Sequence, residues 1–172
     1  SCRSFAVRTE EGRWQGAQLA LRLRSEPLAA IYSSTLQRTI ETAEIVAEPH
    51  DLQPIPLQEL VEVDYGAWDG MPRQEIVEQY AELYAAWVAD PAVVLAPGGE
   101  SGCAALARAM SALQAIVQRH PDQTVLVVAH KAINRLLLCH ILDMPLRLYR
   151  ARIGQQPCGL NCIEWLDGEP RV

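Results

Sequence analysis

Apolar and polar positions alternate between two periods along the chain. Thr124-Val125-Leu126-Val127-Val128-Ala129 is continuously apolar and rich in β-branched residues, which predicts a parallel strand covered on both faces. Ala29-Ala30-Ile31-Tyr32 predicts another strand, and Pro54 to Leu57 an edge strand, because proline cannot donate to a ladder. Ser4 to Val7 and Asn161 to Leu166 read as short first and last strands. The helical period is clearest at Leu106, Met110, Leu113 and Val117, one apolar stripe of a long helix that Ser101 can cap and Pro121-Asp122 ends. Ser34 can cap a helix running from Thr39 to Glu48, stopped by Pro49. Further helical segments are expected near Leu19 to Leu23, Gln74 to Gln79 after Pro72, Ala81 to Val88, and Ala132 to Leu142. Strands alternating with helices imply a layered α/β fold. No linker interrupts the chain, so 1–172 is expected to form a single domain, with residues 62–99 as a helical excursion from its sheet.

Composition narrows the function classes. The 172 residues are 49% hydrophobic and 21% charged, with a net charge of −6. That balance argues against a broad nucleic-acid or membrane surface while allowing a small positive pocket for an anion. No apolar run approaches a membrane span, and the first residues carry no signal-like apolar core. The five cysteines form no CxxC, and their odd count favours free thiols in a reducing compartment, so a cytoplasmic location is expected. Cys103 and Cys139 fall in helical patterns and are expected to pack in the core. No clustered carboxylates suggest a hard-metal site, and no cofactor is expected.

Two junctions carry candidate chemistry. Ile31-Tyr32-Ser33-Ser34 runs from strand to helix with Arg38 just beyond, and Val127-Val128-Ala129-His130 ends at a crossover with His130. In mostly parallel sheets, ligands bind beyond the carboxyl ends of strands, where helix N-termini offer backbone N–H groups to a phosphate. Arg38 adds a planar fork of donors, and His130 can donate to the same anion. Taken singly, each also has a plain reading: a solvated helix arginine, and a polar residue after a strand. His140 reads as structural; His50 and His120 read as helix-end residues.

Five segments together resemble one known family. They are Arg13-Trp14-Gln15-Gly16, the run from Ile31-Tyr32-Ser33-Ser34 through Arg38 to Thr42-Ala43, Glu62-Val63-Asp64-Tyr65-Gly66-Ala67-Trp68-Asp69-Gly70, Pro97-Gly98-Gly99-Glu100-Ser101, and Val127-Val128-Ala129-His130. In this order they resemble the motifs of the histidine phosphatase (phosphoglycerate mutase-like) superfamily over nearly the whole chain. The resemblance implies a three-layer α/β/α sandwich with a mostly parallel central sheet. It also implies phosphomonoester hydrolysis through a phosphohistidine, without a metal. By resemblance, Arg8 matches the arginine of the family's Arg-His-Gly motif, and Arg38 is the second phosphate-binding arginine. Glu62 is the general acid or base, and His130 holds the transferred phosphoryl group. Arg8, Gln15, Arg38, His130 and Lys131 are the expected substrate-binding residues. At Lys131 many members have Gly; its ammonium either approaches the phosphate pocket or points to solvent. The loop Gln155 to Asn161 is expected at the pocket entrance.

The chain departs from that pattern in two places. Val7-Arg8 runs directly into Thr9-Glu10-Glu11-Gly12-Arg13 with no His-Gly, and Gly16 is followed at once by Ala17-Gln18-Leu19. Two readings stay open. In one, segments of a complete parent protein are left out after Arg8 and after Gly16, with their flanks joined. In the other, the chain is a degenerate homologue. A phosphatase acting on a small phosphorylated metabolite is the leading expectation, with no nucleic-acid or membrane partner; a homodimer is compatible with it. The short stretch between Gly70 and Pro97 favours this over a phosphoglycerate mutase. A non-catalytic regulatory binder of phosphoryl ligands is the alternative if the nucleophile is truly absent.

Overall fold

The computed structural model describes residues 9–166 and 168–172. The region of the expected first strand, Ser4 to Val7, and Arg8 lie outside the described residues. Thr9 opens α1 (Glu10–Leu23) by accepting the Gly12 N–H on its hydroxyl, and Glu10 and Glu11 complement the positive helix end. The helix includes both Gly16 and Ala17. Buried Gly16, Leu19 and Leu23 share its inner face, which gives this segment a helical period of its own.

The sheet has three parallel strands in the order β2-β1-β3: β1 (Leu28–Ser34), β2 (Ile55–Leu57) and β3 (Thr124–Val128). Tyr32 of β1 registers with Ile55 on one side and Val127 on the other. Alternate β1 side chains feed two cores. Ile31 packs with Leu19 and Leu23 of α1 and with Ala43, Val46 and Ala47 of α2 (Gln37–Ala47). Ala30 and Tyr32 face Ala112 and Ile116 of α5 (Gly102–Arg119). This is the α/β/α layering expected of a covered parallel sheet.

Two expectations about burial are corrected. β3 is half-buried apart from an exposed Thr124, and among the described strands it pairs with β1 alone. On α5 the buried stripe is Ala105, Ala109, Ala112, Leu113 and Ile116; Leu106 and Met110 flank it, since alanines permit the closest approach. Cys103 is consequently exposed, while Cys139 is buried on α6 (Lys131–Ile141). Exposed His140 lies at the outer end of α6. Ser101 does cap α5, accepting the Ala104 N–H at 3.2 Å.

The excursion contains α3 (Arg73–Gln79) and α4 (Ala81–Ala89). Trp68 meets Tyr80, Tyr84 and Trp87 edge-on, and the Arg150 guanidinium of α7 (Tyr149–Arg152) lies 4.0 Å from the Trp87 ring centre. The expected last strand is shorter than predicted: β4 (Glu164–Leu166) pairs antiparallel with β5 (Glu169–Arg171). Among the described residues no helix is long and apolar enough to cross a membrane.

Candidate active site

The carboxyl end of β3 and the first turns of α2 and α6 line one cleft of about 450 Å³. Arg38, Glu62 and His130 all line it although they lie far apart in sequence, and Gln15 and Lys131 lie at its walls. Gln15 also makes a long contact to Glu11, at 3.4 Å, one turn back on α1. The segment Gln155 to Leu160 closes another side, as expected of the entrance loop. Arg8 lies outside the described residues.

Hydrogen bonding around His130 fixes its tautomer. Arg38 donates from Nη2 to His130 Nδ1 at 2.9 Å. A guanidinium has only donors, so Nδ1 accepts and the imidazole is neutral with its proton on Nε2. Nε2–H donates to Ser34 Oγ at 2.6 Å. The Ser34 hydroxyl then donates to Thr39 Oγ1 at 2.7 Å, and Thr39 donates to the Leu36 carbonyl, also at 2.7 Å. Ser34 additionally accepts the Leu36 N–H at 3.2 Å. The relay is buried: Ser34, Thr39 and His130 are all at most 5% exposed. Ser34 therefore does not cap α2 as expected. It ends β1, Leu36 takes the N-cap position, and the serine hydroxyl is committed to His130.

Glu62 lies outside regular structure, between the 3₁₀ turns Gln58–Leu60 and Gly66–Trp68. Its Oε1 accepts the Val63 N–H at 3.0 Å, and its Oε2 accepts the Ala132 N–H at 3.3 Å, in the first turn of α6. The N-terminus expected to offer its donors to a phosphate thus already binds the chain's own carboxylate. Burial holds the Glu62 carboxyl above its ordinary range; those N–H groups and the Arg38 guanidinium offset this only in part. Buried Tyr149 senses the same charge, and its phenol is also raised, chiefly by burial.

Glu62 is held in place by the two motifs around it. Glu100 N–H donates to the Asp64 carbonyl and Asp64 N–H to Glu100 Oε1, both at 2.9 Å; Ala67 N–H reaches the Pro97 carbonyl at 2.9 Å. The backbones meet at glycines. Gly66 has φ +48°, and a Cβ there would collide with the Pro97 carbonyl; one at Gly99 would lie 2.5 Å from the Asp64 oxygen. Sequence reasoning missed Ser34's link to His130, Thr39, Asn134 on the cleft wall, and Arg108. The available signals were the small hydroxyl residues flanking Arg38 and the invitation of Glu100 to a cation nearby. Among the described residues no cluster of three or more His, Cys, Asp or Glu side chains could hold a metal ion.

Residues 9–172 match the family model described as Histidine phosphatase superfamily (branch 1). The chain is 38% identical over 138 residues to phosphoserine phosphatase 1 of Hydrogenobacter thermophilus, covering 80% of this chain and 65% of that protein. It is 32% identical to the adenosylcobalamin/alpha-ribazole phosphatase of Salmonella typhimurium, over 86% of this chain and 73% of that one. The structure of Bacillus stearothermophilus YhfR superposes with a TM-score of 0.90 at 32% identity, over 95% of this chain and 81% of that one. The chain thus spans slightly less than two thirds of the phosphoserine phosphatase it matches.

Proposed function

The chain belongs to the histidine phosphatase superfamily, branch 1, and from that premise we propose that it carries the phosphate-clamping and acid–base parts of a phosphomonoesterase site. The observation that carries this reading is the convergence of Arg38, His130 and Glu62 in one cleft, with Arg38 and His130 at 2.9 Å. Phosphoryl transfer spreads charge over three equatorial oxygens and the leaving oxygen. Arg38 and, by family resemblance, Arg8 stabilise the equatorial oxygens, and His130 joins them by exchanging its Ser34 partner for a phosphate oxygen. Glu62 supplies the proton to the leaving alcohol and then activates water. Its burial suits it to the acid step, because a carboxyl held above its ordinary range keeps its proton longer as pH rises. An incoming phosphate dianion near the α6 N-terminus adds like charge and strengthens that effect.

In this reading the complete parent protein forms a phosphohistidine on a His immediately after Arg8, without a metal. His130 is not that nucleophile: its Nε2–H is committed to Ser34, and its Nδ1 lone pair faces a guanidinium. Lys131, exposed at the cleft mouth, favours small substrates that carry a second anionic group beside the phosphate. The test uses complete, chelator-treated parent protein with a panel of small phosphomonoesters. Rapid quench and mass spectrometry should find acid-labile phosphate on that His. Strict metal dependence, or label confined to another residue, would overturn the mechanism.

The absence of any His between Arg8 and Gly16 favours a second reading, a regulatory binder of phosphorylated ligands. Tight ligand binding by the complete protein, with no turnover across the panel, would select it. The chain in its present form is expected to bind but not to turn over.

A further inference from the structure

Arg108 lies on α5 and is not among the residues that line the cleft. All five of its N–H donors have partners. Nη1 donates to the carbonyls of Glu59 at 2.7 Å and Val61 at 2.6 Å. Nη2 donates to the Glu62 carbonyl at 3.3 Å and to Glu100 Oε1, while Nε donates to Glu100 Oε2 at 3.1 Å. Glu100 in turn receives the Asp64 N–H. The segment from Glu59 to Asp64 contains no strand, and the carbonyls of Glu59, Val61 and Glu62 are satisfied by one side chain. Buried Leu60, Val61 and Val63 fasten the same stretch from within.

From this geometry we infer that Arg108, oriented by Glu100, is the positioning residue of Glu62, fixing its backbone so that the carboxyl stays in the dry floor of the cleft against the first turn of α6. The inference rests on the proposed acid role of Glu62 for its functional meaning, and on the hydrogen bonds alone for its structural content. A planar fork is required, because three carbonyls and both carboxylate oxygens approach from different sides; an ammonium at the same place has three donors and no plane. If the segment loosens, water reaches the carboxyl, and the burial that keeps its proton affinity high is relieved. The charged and titratable groups around this carboxyl include Arg38 from α2, His130 at the α6 N-cap, Lys131 on the cleft wall and Tyr149 from α7. None of these belongs to the Arg108–Glu100 pair, so altering that pair leaves them in place.

The test follows the Glu62 carboxyl by NMR in the chain with carboxyl-labelled glutamate, assigned by Glu62→Gln, with the Ala132 amide as a second reporter of the same titration. Arg108→Lys and Glu100→Gln are compared with the parent chain, the second variant guarding against a folding defect in the first. Both should move the Glu62 midpoint down, toward the ordinary carboxyl range, and weaken the pH response of the Ala132 amide. An unchanged Glu62 titration in a folded Arg108→Lys chain would overturn the inference, because charge alone would then suffice. An unchanged titration in Glu100→Gln would overturn the orienting role of Glu100. Inorganic phosphate binding by the parent chain is measured in parallel. Its absence would count against the proposed phosphatase site, while the titration would still decide the role of Arg108.

Discussion

At the end of β1 the chain takes two residues, Thr35 and Leu36, before α2 begins; at the end of β3 it takes Ala129 and His130 before α6. Both N-cap residues, Leu36 and His130, have extended backbone, and neither caps its helix with its own side chain. The first junction is nevertheless self-sufficient: Ser34 accepts the Leu36 N–H, and Thr39 closes the relay from within the next turn. That leaves Arg38 to project into the cleft. The second junction borrows its anion from Glu62, seventy positions away in sequence. Similar strand-to-helix turns therefore serve different ends. One presents a cation, and the other holds a buried carboxyl. His130 links them, bonded to Ser34 and Arg38 across the gap between the strands.

The largest effect is expected from Arg38→Ala, which removes the working group of the first junction. Hydrogen bonds to charged groups contribute about 1.5–3 kcal/mol, so phosphate affinity measured by calorimetry should fall by about 10- to 100-fold. Affinity within about twofold of the parent would break the contrast, because the cation would then be idle. Ser34→Ala tests the self-sufficiency of that junction. It strips the acceptor from both His130 Nε2–H and the Leu36 N–H, and urea unfolding should show a loss of about 1–3 kcal/mol. An unchanged midpoint would mean that those donors find other partners.

The smallest expected effect sharpens the second junction. The folded Glu62 carboxyl is raised above its ordinary value of 4.5, so folding takes up protons there. The stability this contributes is fully present below 4.5 and is lost as pH rises through the folded value. Glu62→Gln cannot ionise. Thermal midpoints measured across that window should therefore drift in favour of the variant as pH increases. A constant difference between the two proteins would show that Glu62 titrates as it does in the unfolded chain.

Much of this was readable because it is local. The Ser101 cap, the β1 strand and the position of Arg38 one turn beyond it follow from neighbouring residues. Glu62 and His130 could be singled out by motif, but the bond between Glu62 and the α6 turn joins distant segments that no periodicity relates. Arg108 was invisible for a related reason: three of its partners are backbone carbonyls, which every residue has. Ser34 was misread as a cap because the same hydroxyl chemistry serves a cap or a buried relay, and only the neighbouring strand decides which.

The meeting of Gly66 with Pro97, and of Gly99 with Asp64, has a consequence for how such a protein can diversify. These contacts pinch the chain shut at the base of residues 71–96, like a drawstring. Whatever is threaded through the neck, Glu62 on its near side is held by the knot and not by the length of the loop. Closing a flexible loop of twice the length costs only about 0.6 kcal/mol more. The helices α3 and α4 can therefore be lengthened, trimmed or exchanged to reshape the surroundings of the cleft, while Glu62 keeps its station.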